Sequence, residues 1–473
     1  MKTPETKETT GVRLPASVRP EKYVLSLKPD LNEFTFQGEE SVDIQVTESV
    51  SSITLNASEL QVSSARVKLG EGTTLPAKGI DLDESEETVT LSFDRTLPKG
   101  PATLSMQFTG ILNDQLRGFY RSQYVTPRGE KRFLAATQFA ATDARLAFPC
   151  WDEPALKATF EVTLVIRHDY AAISNTHVVA ETRLDDGTKA VRFAETPRMS
   201  TYLLAFVVGD LASLEATAPD GTLIRVWATR DKVQFGRFAL ENSIRLLNYL
   251  NDYFGIRYPL KKLDHIALPD FAAGAMENWG AITYRERALL YDPKISSAIT
   301  KQRIVEVIAH EMAHMWFGDL VTMEWWDDLW LNESFASWMG NKAVAQLYPE
   351  WSMWTQFLFL DTTGGLNLDG LKNSHAIEVS VKDPAEISEI FDRISYSKGA
   401  AILWMLEQFL DEKTFQRGIH GYLSTNKYGN ARTEDLWKAL TIASGQPVTN
   451  LMDTWVKQTG FPLLQAKTGR HDS

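Results

Sequence analysis

The sequence has almost no cysteine and no long hydrophobic run. Cys150 is the one cysteine among 473 residues, which excludes an internal disulfide and favours a reducing compartment. No stretch of about 18 consecutive apolar residues is present, so no membrane-spanning helix is predicted. Residues 1–10 are polar with mixed charge and lack the apolar core of a secretion signal. We therefore expect a soluble, cytoplasmic protein.

Basic residues are also few relative to acidic ones. Lys and Arg total 49 against 61 Asp and Glu, which gives a net charge of −12. Nucleic acids and anionic membranes attract concentrated positive charge, so neither is expected as the main partner. The composition is otherwise that of a globular protein, with 44% hydrophobic and 23% charged residues. The sequence does not indicate an oligomeric state.

Two patterns of hydrophobic residues divide the chain at about residue 211. After a lead-in over residues 1 to about 12 that we expect to be disordered, apolar residues alternate with polar ones in short runs such as Tyr23, Leu25 and Leu27. Such runs, separated by turn sequences, predict one all-β domain of antiparallel strands over residues 1–211. In residues 212–473 a few strands surround a helix at about 235–253, and the chain is mostly helical after about 296. The second domain is therefore predicted to be α+β.

The second domain contains the pattern His-Glu-x-x-His, from His310 through Glu311 to His314. Thr300 is a plausible N-cap and Gly318 a plausible stop, so we expect a helix of about four turns. Two histidines four residues apart on a helix point the same way and can hold one metal ion. Glu311 is rotated away from that face and can reach a water molecule without binding the metal. The alternative is a buried helix with no metal.

A third ligand is expected at Glu333, eighteen residues after His314. The apolar residues around it continue at helical spacing, so Glu333 is predicted to lie on a second helix packed against the first. A charged residue on an aromatic, apolar helix needs a partner. Two histidines and one glutamate match the ligands of catalytic zinc in peptidases. The alternative is a surface glutamate, which the neighbouring tryptophans Trp325, Trp326 and Trp330 argue against.

Four stretches read together resemble one known family. They are 274–278 (Gly-Ala-Met-Glu-Asn), 310–314, 330–336 (Trp-Leu-Asn-Glu-Ser-Phe-Ala) and 391–400 (Phe-Asp-Arg-Ile-Ser-Tyr-Ser-Lys-Gly-Ala). Their order and separations are similar to those of the zinc aminopeptidases of the gluzincin clan, the aminopeptidase N and puromycin-sensitive aminopeptidase family. The resemblance runs from Leu14 to Pro462. It implies a thermolysin-like second domain, one Zn²⁺ per chain held by His310, His314 and Glu333, and peptide substrates with a free N-terminus.

The resemblance also implies roles for other residues in removing the first residue of a peptide. Glu311 would be the general base for the attacking water, and Tyr396 would stabilise the oxyanion of the tetrahedral intermediate. Glu277 would bind the substrate α-amine. The backbone beside it would pair with the peptide as an added strand. The substrate-binding residues implied in this way are Gln138, Gly274, Ala275, Met276, Glu277 and Asn278.

The sequence departs from the family at two places, and two alternatives stay open. Ala140 stands where the family usually has Glu or Gln, which helps to bind the substrate amine. Only eleven residues follow Pro462, where long members of the family continue with further domains, so the sequence is either a fragment or a short form. One alternative is a truncated peptide-binding form with little turnover. The other is an epoxide hydrolase and aminopeptidase like leukotriene A4 hydrolase, although Ala275 stands where that enzyme has Gly.

Overall fold

The computed structural model describes residues 13–70 and 72–465, and the predicted lead-in at residues 1 to about 12 lies almost entirely outside them. The first part of the chain is built from strands. These strands are β1 (Val18–Asp30), β2 (Thr35–Val46), β3 (Val50–Asn56), β4 (Gln61–Leu69), β5 (Thr74–Pro76), β6 (Gly79–Asp83), β7 (Thr88–Leu97), β8 (Gly100–Ile111), β9 (Gly118–Val125), β10 (Lys131–Gln138), β11 (Thr159–Arg167), β12 (Ala171–Ser174), β13 (Val178–Arg183), β14 (Thr188–Phe193) and β15 (Phe206–Gly209).

These strands form three sheets. The largest has the order β13-β14-β11-β1-β2-β8-β4-β5, a second has β3-β7-β6, and a third has β12-β15-β10-β9. The alternation in the sequence explains how the sheets pack, because Tyr23, Leu25 and Leu27 of β1 are all buried while their neighbours face outward. The prediction of antiparallel strands is wrong for one pair. Strands β1 and β11 run parallel, and a pairing so distant along the chain cannot be read from the local pattern.

The second part begins with a mixed sheet of five strands in the order β16-β17-β18-β20-β19. These strands are β16 (Leu211–Thr217), β17 (Leu223–Thr229), β18 (Lys262–Leu268), β19 (Ala275–Met276) and β20 (Ala281–Arg285). A short parallel pair, β21 (Thr322–Met323) and β22 (Asn430–Ala431), lies among the helices that follow. The predicted fold class, a strand-rich first part followed by a mixed and mostly helical second part, is confirmed.

The helices of the second part pack against each other, and the first three of them also contact this sheet. They are α1 (Arg237–Phe254), α2 (Glu286–Leu289), α3 (Ala298–His314), α4 (Trp330–Leu347), α5 (Met353–Gln356), α6 (Thr363–Asp369), α7 (Gly399–Leu410), α8 (Glu412–Asn426), α9 (Thr433–Ser444) and α10 (Val448–Val456). Two π-helical turns, Phe357–Thr362 and Ile394–Lys398, precede α6 and α7. In the described part of the chain, no helix is both long and apolar enough to cross a membrane.

The bounds of α3 differ from the sequence prediction. Its N-cap is Ser297, whose hydroxyl accepts a hydrogen bond from the backbone N–H of Thr300, so the predicted cap Thr300 lies inside the helix. The helix ends at His314 and not near Gly318. Gly318 instead has φ of +130° and starts the turn that reaches β21. The two candidate ligands therefore occupy the last two turns of α3.

Candidate active site

His310 and His314 lie on one face of α3 because they are four residues apart, and the helix is held in place by apolar residues packed in the core. Ile304, Val305, Ile308 and Met312 are buried. His314 is fixed further by its ring, since Nδ1 lies 2.9 Å from the carbonyl oxygen of Phe317. A ring that donates through Nδ1 leaves the lone pair of Nε2 free to bind a cation. The distance between the Nε2 atoms of His314 and His310 is 3.1 Å.

Glu333 lies on helix α4, which packs against α3 as the sequence predicted, and its carboxylate faces these two nitrogens. The helices can approach closely because α4 carries Gly340 where it crosses α3. A Cβ atom at that position would lie 3.1 Å from the backbone nitrogen of His310 and 3.3 Å from its Cα. Glu333 is 4% exposed, so it is not the surface glutamate of the alternative interpretation. The Oε2 atom of Glu333 lies 3.3 Å from Nε2 of His310 and 3.5 Å from Nε2 of His314.

The spacing of these three atoms fits a tetrahedral zinc ion. Zinc binds imidazole nitrogen and carboxylate oxygen at about 2.0–2.2 Å, so two ligand atoms in a tetrahedron lie about 3.3–3.5 Å apart. The observed separations are 3.1, 3.3 and 3.5 Å. The Oε2 atom of Glu333 is also buried without a hydrogen-bond donor among the described residues. A buried carboxylate oxygen that faces two imidazole nitrogens needs a cation to compensate its charge.

The surrounding charges are strongly unbalanced without such a cation. The carboxylates of Glu277, Glu311 and Glu333 are all less than 10% exposed. Burial raises the pKa of Glu277, and it raises the pKa of Glu311 well above the ordinary carboxyl value. Burial acts to lower the pKa of His314, but these carboxylates outweigh it and raise that pKa. Burial lowers the pKa of His310 to about 4, which keeps its ring neutral and able to bind a metal.

Glu277 lies beside the three predicted ligands without belonging to them. Oxygen atoms of Glu277 and Glu311 and a ring nitrogen of His314 lie within 4.8 Å of one another. Glu277 directly follows β19, the last strand of the five-stranded sheet. One side of β19 pairs with β20, Ala275 opposite Tyr284 and Met276 opposite Thr283. Its other side is a sheet edge, which is the type of surface that binds an extended peptide.

The two residues that flank this segment occupy different surroundings. Gly274 accepts a backbone hydrogen bond from Arg285 through its carbonyl oxygen, and a Cβ there would meet no atom within 4 Å. Asn278 is fully buried, and its side-chain amide donates to the hydroxyl of Thr283 at 3.1 Å. Among the described residues, neither Gly274 nor Asn278 lines the pocket beside Glu277. Their predicted substrate contacts therefore stay predictions, and Asn278 also holds the turn between β19 and β20.

Tyr396 lies on the π-helical turn Ile394–Lys398, beside His310. Its ring stacks on that of His310, with centroids 5.9 Å apart and planes 11° apart. The turn is tied to α4 by the hydroxyl of Ser334, which donates to the carbonyl oxygen of Ser395 at 2.5 Å. Burial raises the pKa of Tyr396 well above its ordinary value, and the nearby Glu333 acts in the same direction. The phenol therefore stays protonated and can donate a hydrogen bond.

Glu277, Glu333 and Tyr396 line one pocket of ≈ 290 Å³, and residues of the strand-rich first part of the chain supply one of its walls. Gln138, the last residue of β10, and Ala140 lie on that wall. Pocket residues that the sequence analysis predicted are Gln138, Ala275, Met276, Glu277, Glu333 and Tyr396. Pocket residues that it missed are Tyr202, Ala273, Trp326, Leu329, Asn332 and Phe391.

Some of the missed residues had a signal in the sequence and others had none. Asn332 adjoins Glu333 and Phe391 begins the stretch that contains Tyr396, so both could have been included. Tyr202 comes from the strand-rich part, and its hydroxyl lies 3.4 Å from the carbonyl oxygen of Gly318 and 3.2 Å from the side-chain amide of Asn332. That contact spans 130 positions, and no local pattern predicts it.

Both parts of the chain match models of known protein domains. The model described as the Peptidase M1 N-terminal domain matches residues 19–203, and the model described as the Peptidase family M1 domain matches residues 238–455. The second range contains the two histidines, Glu311, Glu333, Glu277 and Tyr396. The division at residue 211 falls between the two matches and stays a prediction.

The chain is similar to several curated relatives over nearly its whole length. It is 48% identical to "Aminopeptidase M1" of Arabidopsis thaliana over 458 residues, which are 96% of this chain and 52% of that protein. It is 46% identical to "Alanine/arginine aminopeptidase" of Saccharomyces cerevisiae over 462 residues, 96% of this chain and 53% of that protein. It is 44% identical to "Puromycin-sensitive aminopeptidase" of Caenorhabditis elegans over 454 residues, 96% of this chain and 48% of that protein. The chain therefore spans about half the length of the curated relatives it matches.

Proposed function

Because the chain belongs to peptidase family M1, we propose that it is a zinc-dependent aminopeptidase that removes the N-terminal residue of peptides. The observation that carries the proposal is the position of Glu277. Its carboxylate is buried within 4.8 Å of groups of Glu311 and His314 but is not one of the three predicted zinc ligands. A free α-ammonium bound to Glu277 would bring the first peptide bond, and no later one, to the site.

The ligands proposed for the metal are His310, His314 and Glu333, with one ion per chain. A zinc ion bound there would supply Lewis acidity, which polarises the scissile carbonyl and makes water a better nucleophile at neutral pH. The remaining steps are proposed for side chains of this chain. The edge of β19 would pair with the peptide backbone, and the pocket that includes Gln138, Ala140 and Met276 would take the first side chain.

Glu311 is proposed as the general base. Its carboxylate would take a proton from the water molecule as the water oxygen bonds to the scissile carbon. When the carbon–nitrogen bond breaks, the same proton would pass to the leaving amine, so that Glu311 returns to its starting state. The phenol of Tyr396 would donate a hydrogen bond to the oxyanion of the tetrahedral intermediate, a contact worth about 3–4 kcal/mol in comparable sites.

The proposal also covers the partners and location of the protein. Its substrates would be peptides with a free N-terminus, and no nucleic acid or membrane is expected as a partner. Cys150, the single cysteine, is buried. A cytoplasmic location stays a prediction.

Hydrolysis of aminoacyl fluorogenic amides tests the proposal. Each amide is compared with its N-acetylated form, which lacks the positive charge that Glu277 would bind. We expect turnover of the free-amine substrates only, and a decrease of at least about 100-fold in Glu311→Gln with zinc content unchanged. Equal turnover of the acetylated amides would contradict the role of Glu277.

A peptide-binding form with little turnover is the second candidate, and the identity of residue 140 favours it. Ala140 lines the pocket that contains Glu277 and offers no side-chain acceptor for an ammonium. Binding of free-amine peptides without hydrolysis, in protein that holds one zinc per chain, would replace the first proposal with this one.

A further inference from the structure

A buried ion pair adjoins the turn that carries Tyr396, and the proposed chemistry does not use it. The Nζ atom of Lys398 lies 2.9 Å from Oδ2 of Asp369, and both side chains have zero exposure. Apart from each other, neither of these two atoms has a hydrogen-bond partner in the part of the chain that the structure describes. Each charge therefore depends on the other for compensation.

Such a pair is not explained by stability alone. Removing a lysine and a carboxylate from water costs several kcal/mol each, and replacing a buried pair with neutral groups is often neutral or stabilising. A buried ion pair can instead serve to hold the backbone in one conformation. Lys398 is the last residue of the π-helical turn Ile394–Lys398, two residues after Tyr396.

The π-helical turn makes the direction of Tyr396 sensitive to that backbone. The backbone N–H of Lys398 donates to the carbonyl oxygen of Arg393, five residues earlier, at 2.9 Å. If the turn relaxed to ordinary α-helical pairing, it would slip by one residue relative to α7, about 100° of rotation and 1.5 Å of rise. Tyr396 would then point away from His310 and Glu333.

Asp369 is held independently of Lys398, so it can act as a fixed point. Its Oδ1 atom accepts from the hydroxyl of Ser374 at 2.8 Å and from the backbone N–H of Gly460 at 2.9 Å. Asp369 ends helix α6, which lies against the turn. A Cβ on Gly365 of α6 would be only 2.7 Å from the backbone nitrogen of Lys398. The glycine permits this contact, and the ion pair fixes it.

We propose that the ion pair between Lys398 and Asp369 positions the hydroxyl of Tyr396 by holding the turn Ile394–Lys398 in its π-helical form. Lys398 is thus a positioning residue that acts through Tyr396 and touches no substrate. The inference rests on the proposed aminopeptidase function for its kinetic consequence. Its structural consequence, a fixed turn, does not depend on that function.

The test variant replaces both charges, as Lys398→Met with Asp369→Asn. An asparagine keeps the oxygen that accepts from Ser374 and Gly460, so those contacts are retained. The matched control is Lys342→Met with Glu407→Gln. That pair also joins a lysine to a carboxylate between two helices, with Nζ and Oε1 2.8 Å apart and side chains 12% and 1% exposed. Lys342 lies on α4, and Glu407 lies on α7 nine residues after Lys398.

Kinetics and a double-mutant comparison separate positioning from general stability. We expect kcat on an alanine fluorogenic amide to fall about tenfold or more in the test variant with KM little changed, and to change less than about twofold in the control. In a Tyr396→Phe background, the same test substitutions are expected to cost less than about twofold, because the hydroxyl that they misplace is already gone. An equally large loss in that background would overturn the proposal.

Hydrogen exchange on the metal-free protein gives a result that needs no catalysis. We expect faster exchange of the backbone amides of Ile394–Gly399 in the test variant and wild-type exchange there in the control. If the wild-type chain hydrolyses no substrate, the proposed function fails while this measurement still tests the positioning. Unchanged exchange at Ile394–Gly399 would overturn the inference. If the test variant does not fold, Lys398→Gln with Asp369→Asn, an amide pair of similar length, takes its place with the same expected results.

Discussion

The substitution Gly340→Ala tests the close contact between α3 and α4 that brings Glu333 to the histidines. The added methyl group would lie 3.1 Å from the backbone nitrogen of His310, 3.3 Å from its Cα and 3.5 Å from its Cβ. Backbone atoms of a packed helix cannot rotate away, so the two helices must separate by a few tenths of an ångström. Overpacking of this kind costs about 1–3 kcal/mol. The higher helix propensity of alanine returns about 1 kcal/mol, so the net loss is about 0–2 kcal/mol.

The control is Gly421→Ala in helix α8, where a Cβ would meet no atom within 4 Å. There only the propensity acts, and we expect a gain of up to about 1 kcal/mol. At about 2–4 °C per kcal/mol for a unit of 150–250 residues, Gly340→Ala should melt at least about 2 °C below Gly421→Ala. The comparison uses metal-free protein, so that zinc binding does not contribute to the difference.

Zinc affinity, measured by competition with a chromophoric chelator, is the second property to compare between Gly340→Ala and Gly421→Ala. The three predicted ligand atoms are only 3.1–3.5 Å apart, so a shift of a few tenths of an ångström disturbs the site. We expect affinity to fall about tenfold in Gly340→Ala and to stay at the wild-type value in Gly421→Ala. Equal melting temperatures and equal affinities in the two variants would refute the contact as the feature that places Glu333.

Two further predictions concern a buried acid in the strand-rich part and the wall of the pocket. Glu40 lies on β2 between Leu25 and Met106 of the adjacent strands. Neither of its carboxylate oxygens has a hydrogen-bond partner among the described residues. Burial raises the pKa of Glu40 well above the ordinary value. Because the pKa of Glu40 is raised in the folded state, ionisation of Glu40 does not destabilise the fold below the unfolded pKa of about 4.3, and it destabilises the fold increasingly as pH rises. Glu40→Gln should therefore have a melting temperature close to that of wild type at pH 4.5 and progressively above it toward pH 8. A constant difference in melting temperature across that range would contradict this. Ala140→Glu adds a carboxylate to the pocket that contains Glu277. We expect KM for free-amine amides to fall about three- to tenfold with kcat little changed. An unchanged KM would mean that residue 140 does not face the substrate amine.

The fold could be predicted in outline because its signals are local. Alternation identified β1, and the helix predicted at about residues 235–253 is observed as α1, Arg237–Phe254. The helix α3 was found but its ends were misplaced, because Ser297 and Thr300 are both acceptable caps by residue type. Only the hydrogen bond from Thr300 to the hydroxyl of Ser297 distinguishes them. The parallel pairing of β1 with β11 joins residues about 137 positions apart and leaves no local trace.

The candidate site was predictable where it is carried by spacing along one element. His310 and His314 share a face of α3, and the apolar surroundings of Glu333 indicated a buried position on the next long helix. The approach of α4 to α3 at Gly340 could not be predicted, because a glycine inside a helix has several possible causes. The same holds for Tyr202, which reaches the pocket from another part of the chain. The pair of Lys398 and Asp369 is likewise a tertiary contact, and the sequence assigned no role to Lys398.

A zinc titration of metal-free protein, followed by the rate of hydrolysis of an alanine fluorogenic amide, tests whether His310, His314 and Glu333 form one zinc site. We expect the rate to increase linearly and to stop increasing at one equivalent of zinc per chain. We also expect Glu333→Gln, which alters one predicted ligand, to need a large excess of zinc to reach any measurable rate. A rate that does not depend on zinc, or a break at an equivalence other than one, would contradict a single zinc site formed by His310, His314 and Glu333.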